Sequence, residues 1–174
     1  MNEIVYVDVE STGLTVGVHQ VWEIAYAVND GPITEFQVEH NLVNADLEAL
    51  RINNYLDRVD SRHHHPGHNP DTPYISVEER IFRDSLLGNH LIASNPDFDS
   101  RMLAERWGCR PWHHRMIDLA PMGMVHFAWD RPKGIKDIAE ALRAEGYTIP
   151  QPDHTAAGDV ATLRACYEAL TTGL

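Results

Sequence analysis

The hydrophobic pattern begins with a short run that has no polar face. Residues 4–7 read Ile-Val-Tyr-Val, and a run that is apolar on both sides is typical of a central strand. If the strand continues, its period of two places Asp8 and Glu10 on the same side as Tyr6. The pattern therefore predicts a buried strand that ends in two acidic residues.

The next segments predict two further strands. Residues 21–28 are mostly apolar, and a turn signal, Asn-Asp-Gly-Pro, follows at residues 29–32. Residues 33–40 then alternate apolar and polar positions, which is typical of a strand with one wetter face. Three strands joined in this way predict an antiparallel meander.

From residue 45 onwards, apolar residues recur mainly at helical spacing. Residues 45–59 predict a helix, and a capping box at residues 76–79 opens another that runs to about residue 87. The predicted apolar side of the first of these helices consists of Leu47, Leu50, Tyr55 and Leu56. Later predicted elements are strands at 90–94 and 114–119 and helices at 99–107, 134–144 and 155–170. This order predicts an α/β fold with a mixed sheet.

The composition and net charge of the chain limit the kinds of nucleic acid that it is expected to bind. Of the 174 residues, 43% are hydrophobic and 23% are charged, and this length suits one domain across residues 1–174. A net charge of −12 argues against long nonspecific binding of duplex DNA, which requires a basic face. It is compatible with an enzyme that grips a few nucleotides, because bound divalent cations supply local positive charge.

The cysteines and the first residues of the chain predict the cellular compartment of the protein. Cys109 and Cys166 lack the spacing of a zinc site, so two reduced thiols in a cytoplasmic protein are the simpler interpretation. Asn2 and Glu3 replace the basic start of a signal peptide, and no stretch approaches the roughly 20 apolar residues of a membrane span. We expect a cytoplasmic protein that does not enter a membrane.

A loop rich in His, Pro, Gly and Asn is predicted at about residues 61–73. It contains three consecutive histidines at residues 63–65. Such a tract can bind a transition metal, overhang a cleft, or simply be solvated, and the solvated loop is the simplest of these interpretations.

Asp8 and Glu10 are candidate metal ligands. Their carboxylates can point to one side of the sheet edge, and oxygen ligands suit Mg²⁺ or Mn²⁺. With 26 acidic residues, chance alone gives about 4 such pairs, so solvated strand-end acids are the alternative. The setting favours a functional pair, because an Asp that closes an apolar strand otherwise carries a desolvation cost.

Two later segments carry candidate chemistry. Asp99 follows a strand and an Asn-Pro turn at the head of a helix, where the alternative is an N-cap or first-turn acid, and Asp97 is the rival carboxylate. His154 precedes the last predicted helix, and Asp159 lies in its first turns. A histidine in that position is often structural or solvated. With an Asp five residues on, it can instead stand over a metal-bound water and accept a proton near neutral pH.

Together these segments resemble the three motifs of the DEDD exonuclease superfamily, in its histidine-bearing DEDDh (DnaQ-like) branch. Asp-x-Glu-(Ser/Thr)-Thr-Gly-Leu matches at residues 8–14, Asn-x-x-Phe-Asp at 95–99, and His-x₄-Asp at 154–159. Residues 22–25 look like the family's Ile-Glu-Ile-Gly stretch. The branch includes proofreading exonucleases of DNA polymerases, ribonuclease T and oligoribonuclease. The resemblance implies a ribonuclease H-like α/β fold, in which helices flank a mixed sheet of antiparallel meander and parallel strands.

The resemblance also implies a site. Two Mg²⁺ or Mn²⁺ ions would be held by Asp8, Glu10, Asp99 and Asp159. His154 would orient and deprotonate the attacking water, and a nucleoside 5′-monophosphate would leave from the 3′ end. The substrate contacts implied by the motifs are Ser11, Thr12, Gly13, Leu14 and Asn95. Of these, Thr12 and Gly13 would hold the terminal nucleotide through their backbone, and Leu14 would wedge against the last bases.

The chain also departs from the family pattern. Gly158 stands where many members carry an acid, Ser94 stands where His or Gly is frequent, and residues 61–73 are an insert. None of these departures removes an expected metal ligand, so they bear on substrate choice more than on activity.

The leading interpretation is a 3′-5′ exonuclease that acts on single-stranded or unpaired 3′ ends of DNA or RNA. A polymerase or a second copy of the chain is a candidate protein partner. The alternatives are a catalytically silent or partner-dependent nucleic-acid-binding module, against which the intact five-residue set argues, and a metal-binding protein that uses the histidine tract. The choice between DNA and RNA stays open, because it depends on contacts to the 2′-OH that no motif marks.

Overall fold

The computed structural model describes residues 2–60 and 75–172, and five strands form one sheet in this part of the chain. The strands are β1 (Ile4–Ser11), β2 (Val21–Val28), β3 (Thr34–Gln37), β4 (His90–Ala93) and β5 (Ile117–Asp118). Their spatial order is β3-β2-β1-β4-β5. β1, β2 and β3 pair antiparallel, whereas β4 pairs parallel to β1 and β5 parallel to β4. The predicted mixed α/β sheet, with its meander, is confirmed.

Seven helices accompany the sheet within the described residues. They are α1 (Leu47–Ile52), α2 (Tyr55–Arg58), α3 (Val77–Ser85), α4 (Pro96–Trp107), α5 (Leu119–His126), α6 (Ile135–Ala144) and α7 (Ala156–Thr171). Ser76 caps α3, because its hydroxyl accepts a hydrogen bond from the Glu79 amide at 3.1 Å. The second half of the predicted capping box is replaced, since the Glu79 carboxylate accepts hydrogen bonds from Arg106 and Trp107. None of the helices in the described ranges has the length and apolar character needed to cross a membrane.

Helices cover both faces of the sheet, and each face has its own core. On one face, Tyr6 and Ile92 pack among buried side chains of α5, α6 and α7, including Leu119, Ile138 and Leu163. On the other face, alternate strand residues pack against α3 and α4; this cluster includes Val7, Leu91, Phe82, Leu86 and Leu103. The alternation of β1 therefore sends its even-numbered side chains towards α7 and its odd-numbered ones towards α3 and α4.

The single helix predicted for residues 45–59 is wrong, because two helices stand there. Asn54 has a left-handed backbone with φ +51°, and asparagine tolerates this conformation better than most residues. Because of this break, only some of the side chains predicted to form one apolar side are buried. Leu50 and Tyr55 are buried against Trp22, whereas Leu47 and Leu56 are exposed.

Other elements also differ from the sequence prediction. β3 is shorter than the predicted residues 33–40, and α4 begins three residues before the predicted start at residue 99. The strand predicted at residues 114–119 is limited to β5, and α5 was not predicted at all. Pro121 and Gly123 inside α5 are poor helix formers, which hides the helix from propensity. Its start is capped by Asp118, whose carboxylate accepts a hydrogen bond from the Ala120 amide at 2.9 Å. The loop predicted at residues 61–73 lies outside the described residues.

Candidate active site

The site forms where β1 extends beyond its parallel neighbour. The pairing of β1 with β4 ends at Tyr6 opposite Ile92, whereas the pairing with β2 continues to Ser11. The end of β1 is therefore flanked by β2 on one side only. Asp8 and Glu10 lie on this projecting half and are partly buried. They share the face on which α7 packs.

Asp99 occupies the side of β1 that β4 has left. The chain turns at Asn95 after β4, enters α4 at Pro96, and buries Asp99 beside β1. Its carboxylate accepts a hydrogen bond from the Val9 amide at 3.3 Å. Asp99 is therefore a first-turn acid that reaches across to β1, whereas the N-cap position of α4 belongs to Asn95. Asp97, the rival carboxylate, is exposed and pairs with Arg101.

Asp159 joins the pair from β1. It lies in the first turn of α7, and its carboxylate accepts a hydrogen bond from the Asp153 amide at 3.2 Å. Oxygen atoms of Asp8, Glu10 and Asp159 lie within 4.8 Å of one another. Asp99 stands outside this set of three but interacts electrostatically with Asp8 and Glu10. The structure thus brings together four acids that are up to 151 residues apart in sequence.

Burial and like charge both disfavour ionisation in this cluster. Burial, and then the charges of Asp99, Asp159 and Glu10, raise the pKa of Asp8 well above its usual range. Burial and Asp159 raise the pKa of Glu10 to about 7, although a hydrogen bond from Asn53 and the charge of Arg58 oppose this.

The other two acids respond in the same direction. Burial raises the pKa of Asp99 to about 7, against hydrogen bonds from backbone amides including that of Val9. Burial also raises the pKa of Asp159, while the amide of Asp153 and the charge of His154 act to lower it.

This donor set fits a hard divalent cation. Carboxylate oxygens are the ligands that Mg²⁺ and Mn²⁺ prefer, and three of the acids already lie close enough to share an ion. A positive charge among them would remove the mutual repulsion that raises their pKa values. The cluster can therefore hold a metal ion, whose positive charge would offset that of the ionised acids.

His154 stands beside the cluster, at the approach to α7. It is exposed, and its backbone is left-handed with φ +59°. The next residue, Thr155, is the N-cap of α7, and its hydroxyl accepts a hydrogen bond from the Gly158 amide at 3.0 Å. The charge of His154 acts to lower the pKa of the Asp159 carboxyl, which lies five residues along the chain.

The loop after β1 contains the residues predicted to hold substrate. Thr12 is buried, and its amide and carbonyl are both engaged inside the protein, with Gln20 at 2.8 Å and Asp46 at 2.7 Å. Its hydroxyl accepts a hydrogen bond from the Gln20 amide, and the Ser11 hydroxyl donates to the Gly13 carbonyl at 2.7 Å. Leu14 is 76% exposed. Thr12 and Ser11 therefore shape the loop that presents Leu14.

Gly13 is required by this loop shape. Its φ of +154° is rarely adopted by other residues, and a Cβ at this position would lie 2.5 Å from the His19 ring. His19 is itself held by the Thr15 amide, which donates to Nδ1 at 2.8 Å. Asn95, the last predicted substrate contact, is exposed at the start of α4, and its side chain makes no capping hydrogen bond.

Two residues beside the site were missed by sequence reasoning. Asn53 is buried, donates to the Ser11 carbonyl at 3.2 Å and contacts Glu10. Arg58 links α2 to the backbone of His154. Both lie in the segment predicted as one amphipathic helix. A polar residue on such a helix carries no local signal of contacts made far away in sequence.

The departure at Gly158 has a structural counterpart. A Cβ at residue 158 would collide with the carboxylate of Asp153, which occupies that space. The Asp153 carboxylate also accepts hydrogen bonds from the amide and the hydroxyl of Thr155, at 3.1 Å and 2.8 Å. An acid thus lies next to residue 158 although residue 158 itself is glycine.

Comparison with known proteins found no matching family model and no matching curated sequence. Solved structures do resemble the fold. NrnC from Brucella melitensis bound to pGG superposes with a TM-score of 0.58 at 16% identity, over 98% of this chain and 72% of NrnC. A further structure of that protein contains bound Mg²⁺ and superposes with a TM-score of 0.57 at 17% identity.

Two structures named as exonucleases give similar agreement. Exonuclease X in complex with 5′ overhanging duplex DNA has a TM-score of 0.61 at 17% identity, over 98% of this chain and 93% of that one. E. coli exonuclease I in complex with a dT13 oligonucleotide has a TM-score of 0.60 at 15% identity, over 99% of this chain and 41% of that one. The chain therefore has the mixed α/β, ribonuclease H-like fold of these exonucleases.

Proposed function

We propose that this protein is a DEDDh-type 3′-5′ exonuclease that removes nucleoside 5′-monophosphates from single-stranded or unpaired 3′ ends of DNA or RNA. One observation carries the proposal: the oxygens of Asp8, Glu10 and Asp159 converge within 4.8 Å at the end of β1, with Asp99 and His154 beside them. The shared fold of exonuclease X and exonuclease I, whose structures contain DNA, supports it.

The four acids would hold the metal. Asp8, Glu10, Asp99 and Asp159 would together bind two Mg²⁺ or Mn²⁺ ions. When bound, two divalent ions supply positive charge to the oxygens of a scissile phosphate and lower the pKa of water. The hydrogen bond from Val9 fixes the carboxylate of Asp99, and that from Asp153 fixes the carboxylate of Asp159. The protein thereby orients its ligands before any substrate arrives.

His154 would act as the general base. Its exposed imidazole can accept a proton from the attacking water at a ring nitrogen and release it to solvent. The nearby Asp159 carboxylate stabilises the charged imidazolium that results. His154 has a left-handed backbone and directly precedes Thr155, the N-cap of α7, so it lies outside the helix.

The loop after β1 would receive the 3′ end. Gly13 offers backbone without a side chain beside the carboxylates, while Ser11 and Thr12 keep the loop in shape. Leu14 would pack against the last base, and Asn95 would contact the same nucleotide from α4. The negative overall charge of −12 suits a short grip on a strand end, since no basic face is needed to follow a long duplex.

The location and the protein partners stay predictions. Cys109 and Cys166 are both free thiols, which agrees with the predicted cytoplasmic location. A polymerase and a second copy of the chain remain predicted partners.

The proposal is tested on 5′-labelled single-stranded DNA and RNA oligomers with Mg²⁺ or Mn²⁺. We expect a ladder that shortens from the 3′ end and disappears with EDTA and in the Asp8→Ala variant. The products of the two substrates would reveal the preferred sugar. If neither oligomer is shortened while the protein binds Mn²⁺ normally, the proposal fails and a purely binding role gains support.

A further inference from the structure

The backbone of His154 is held by a side chain from a distant helix. Arg58, in the last turn of α2, donates from Nη1 to the His154 carbonyl at 2.9 Å and to the Asn53 carbonyl at 2.8 Å. His154 follows Asp153 in an exposed turn, and its left-handed conformation is unfavourable for a residue with a side chain. A contact that grips its carbonyl therefore stabilises a conformation that the local sequence does not favour.

Arg58 is itself held on three sides. Its second nitrogen, Nη2, forms an ion pair with Glu23 and lies 3.9 Å from Glu35. The guanidinium group also lies 5.0 Å from the centre of the Trp22 ring. The side chain is 18% exposed, and that of Glu23 only 3%. A planar guanidinium presents five N–H donors in a fixed arrangement over three nitrogens, whereas an ammonium group presents three donors from one nitrogen and does not match the same set of separated acceptors.

The same two acids hold the start of α7. Glu23 accepts a hydrogen bond from the Ala156 amide at 3.2 Å, and Glu35 accepts one from the Ala157 amide at 3.0 Å. These are the first two amides of the helix, which lack partners within it. Negative charge there also interacts favourably with the helix dipole. Arg58 thus supports both the residue before the N-cap and the carboxylates that fix the helix after it.

We propose that Arg58 is a positioning residue, which acts through the backbone of His154 to hold the imidazole at the carboxylate cluster. This inference rests on the proposed function, because it assigns Arg58 to the same site. Glu23 and Glu35 complete the arrangement by fixing α7, on which Asp159 stands. Arg58 acts through its hydrogen bond to the His154 carbonyl, so its effect is on the geometry of the base.

The central variant is Arg58→Lys, because it keeps a positive charge beside the buried Glu23. Arg58→Ala would leave that carboxylate unpaired, and its failure to fold would carry no information about positioning. Arg51→Ala is the matched control, since Arg51 lies in the neighbouring helix α1 and, within the described residues, forms an ion pair with Glu48 three positions earlier. Circular dichroism and thermal unfolding first establish that both variants are folded.

On single-stranded substrate, we expect Arg58→Lys to lower kcat by about 10- to 100-fold, as loss of a residue that orients a catalytic group typically does. KM and Mn²⁺ affinity should stay within about threefold of wild type, because the loop after β1 and the four acids are unchanged. Arg51→Ala should match wild type. A wild-type kcat in folded Arg58→Lys, or a fall in Mn²⁺ affinity equal to the fall in kcat, would overturn the inference.

A second measurement does not depend on cleavage. The imidazole signals of His154, assigned by NMR from their absence in His154→Gln, should shift or broaden in Arg58→Lys and stay unchanged in Arg51→Ala. Inactive wild-type protein would contradict the proposed function alone. In that case, unchanged His154 signals in Arg58→Lys would also overturn the positioning role, and altered signals would support it.

Discussion

Asp8, Glu10 and Asp99 are held by the sheet, whereas His154 is held by the side chain of Arg58, which reaches it from α2. The first two acids stand on a strand paired along its length with β2, and Asp99 bonds to the backbone of that strand. His154 lies in an exposed turn, and its backbone is gripped by Arg58. The difference teaches that a rigid ligand set and a positioned base can be built by separate means within one site.

The acid cluster and the surroundings of His154 also differ in how their charges are offset. The strand places acids together at a cost that appears in their raised pKa values, and a bound cation removes that cost. Arg58 instead offsets the charges of Glu23 and Glu35 without any added ion. Changes to the acids should therefore affect metal binding, whereas changes near His154 should affect turnover and leave metal binding intact.

The largest effect is expected from removing one acid. Asp99→Asn should lower kcat/KM on the order of 10³-fold or more, because the metal ions supply several kcal/mol of transition-state stabilisation. The fold should survive, since the asparagine oxygen can still accept the Val9 hydrogen bond. The control is Asp97→Asn, an exposed acid on the same helix. Initial cleavage rates with Mn²⁺ test this, and equal losses in both variants would contradict it.

The next-largest effect tests whether the four acids and His154 make separate contributions. His154→Ala should lower kcat by about 10² to 10³-fold, the usual contribution of a general base. The affinity for Mn²⁺, measured by calorimetry on the protein without nucleic acid, should stay within a few-fold of wild type because no acid has changed. His126→Ala is a suitable control, as His126 is a surface residue paired with Glu145. Loss of Mn²⁺ binding in His154→Ala would show that metal binding by the acids depends on His154.

A smaller effect concerns stability and pH. Glu10 and Asp99 have pKa values of about 7 in the folded protein, above the roughly 4 of unfolded carboxyl groups. Between these values the folded state binds more protons than the unfolded state, so stability falls as pH rises. With EDTA, we expect Tm to be higher at pH 5.5 than at pH 7.5, by roughly several degrees.

Two additions sharpen the pH experiment. Mg²⁺ should raise Tm more at pH 7.5 than at pH 5.5, because the ionised acids bind it. Asp8→Asn should flatten the pH dependence without metal, because it removes one carboxyl group whose pKa is raised in the folded protein. Scanning fluorimetry measures both, and a wild-type Tm in EDTA that rises from pH 5.5 to pH 7.5 would contradict the assignment of raised pKa values.

The smallest effect is expected at the loop after β1. Leu14→Ala should leave the free energy of unfolding within about 0.5 kcal/mol of wild type, because the side chain is exposed. If Leu14 packs against the last base, KM should rise a few-fold on unpaired 3′ ends while kcat changes little. Val125→Ala provides an equally exposed control far along the chain. Steady-state kinetics decide between a substrate contact and a solvated loop residue.

Much of the fold follows from local pattern. The bounds of β2 match the predicted residues 21–28, α6 differs from prediction by one residue at its start, and α7 differs by one residue at each end. These elements have strong periodicity and clear ends, so short-range preferences are sufficient to define them. The break at Asn54 and the helix α5 escaped prediction because tertiary packing there overrides the average propensity of the segment.

What the sequence determined by itself is the order of the strands in the chain, the sheet class and the identity of the candidate acids and base, since each has a local setting of its own. Tertiary structure alone decided that β1 extends beyond the end of β4, which lets Asp99 accept a hydrogen bond from the Val9 amide. It also decided that Arg58 donates a hydrogen bond to the carbonyl of His154, which is 96 residues away in sequence. Such contacts depend on where the chain returns in space, and local periodicity contains no record of that return.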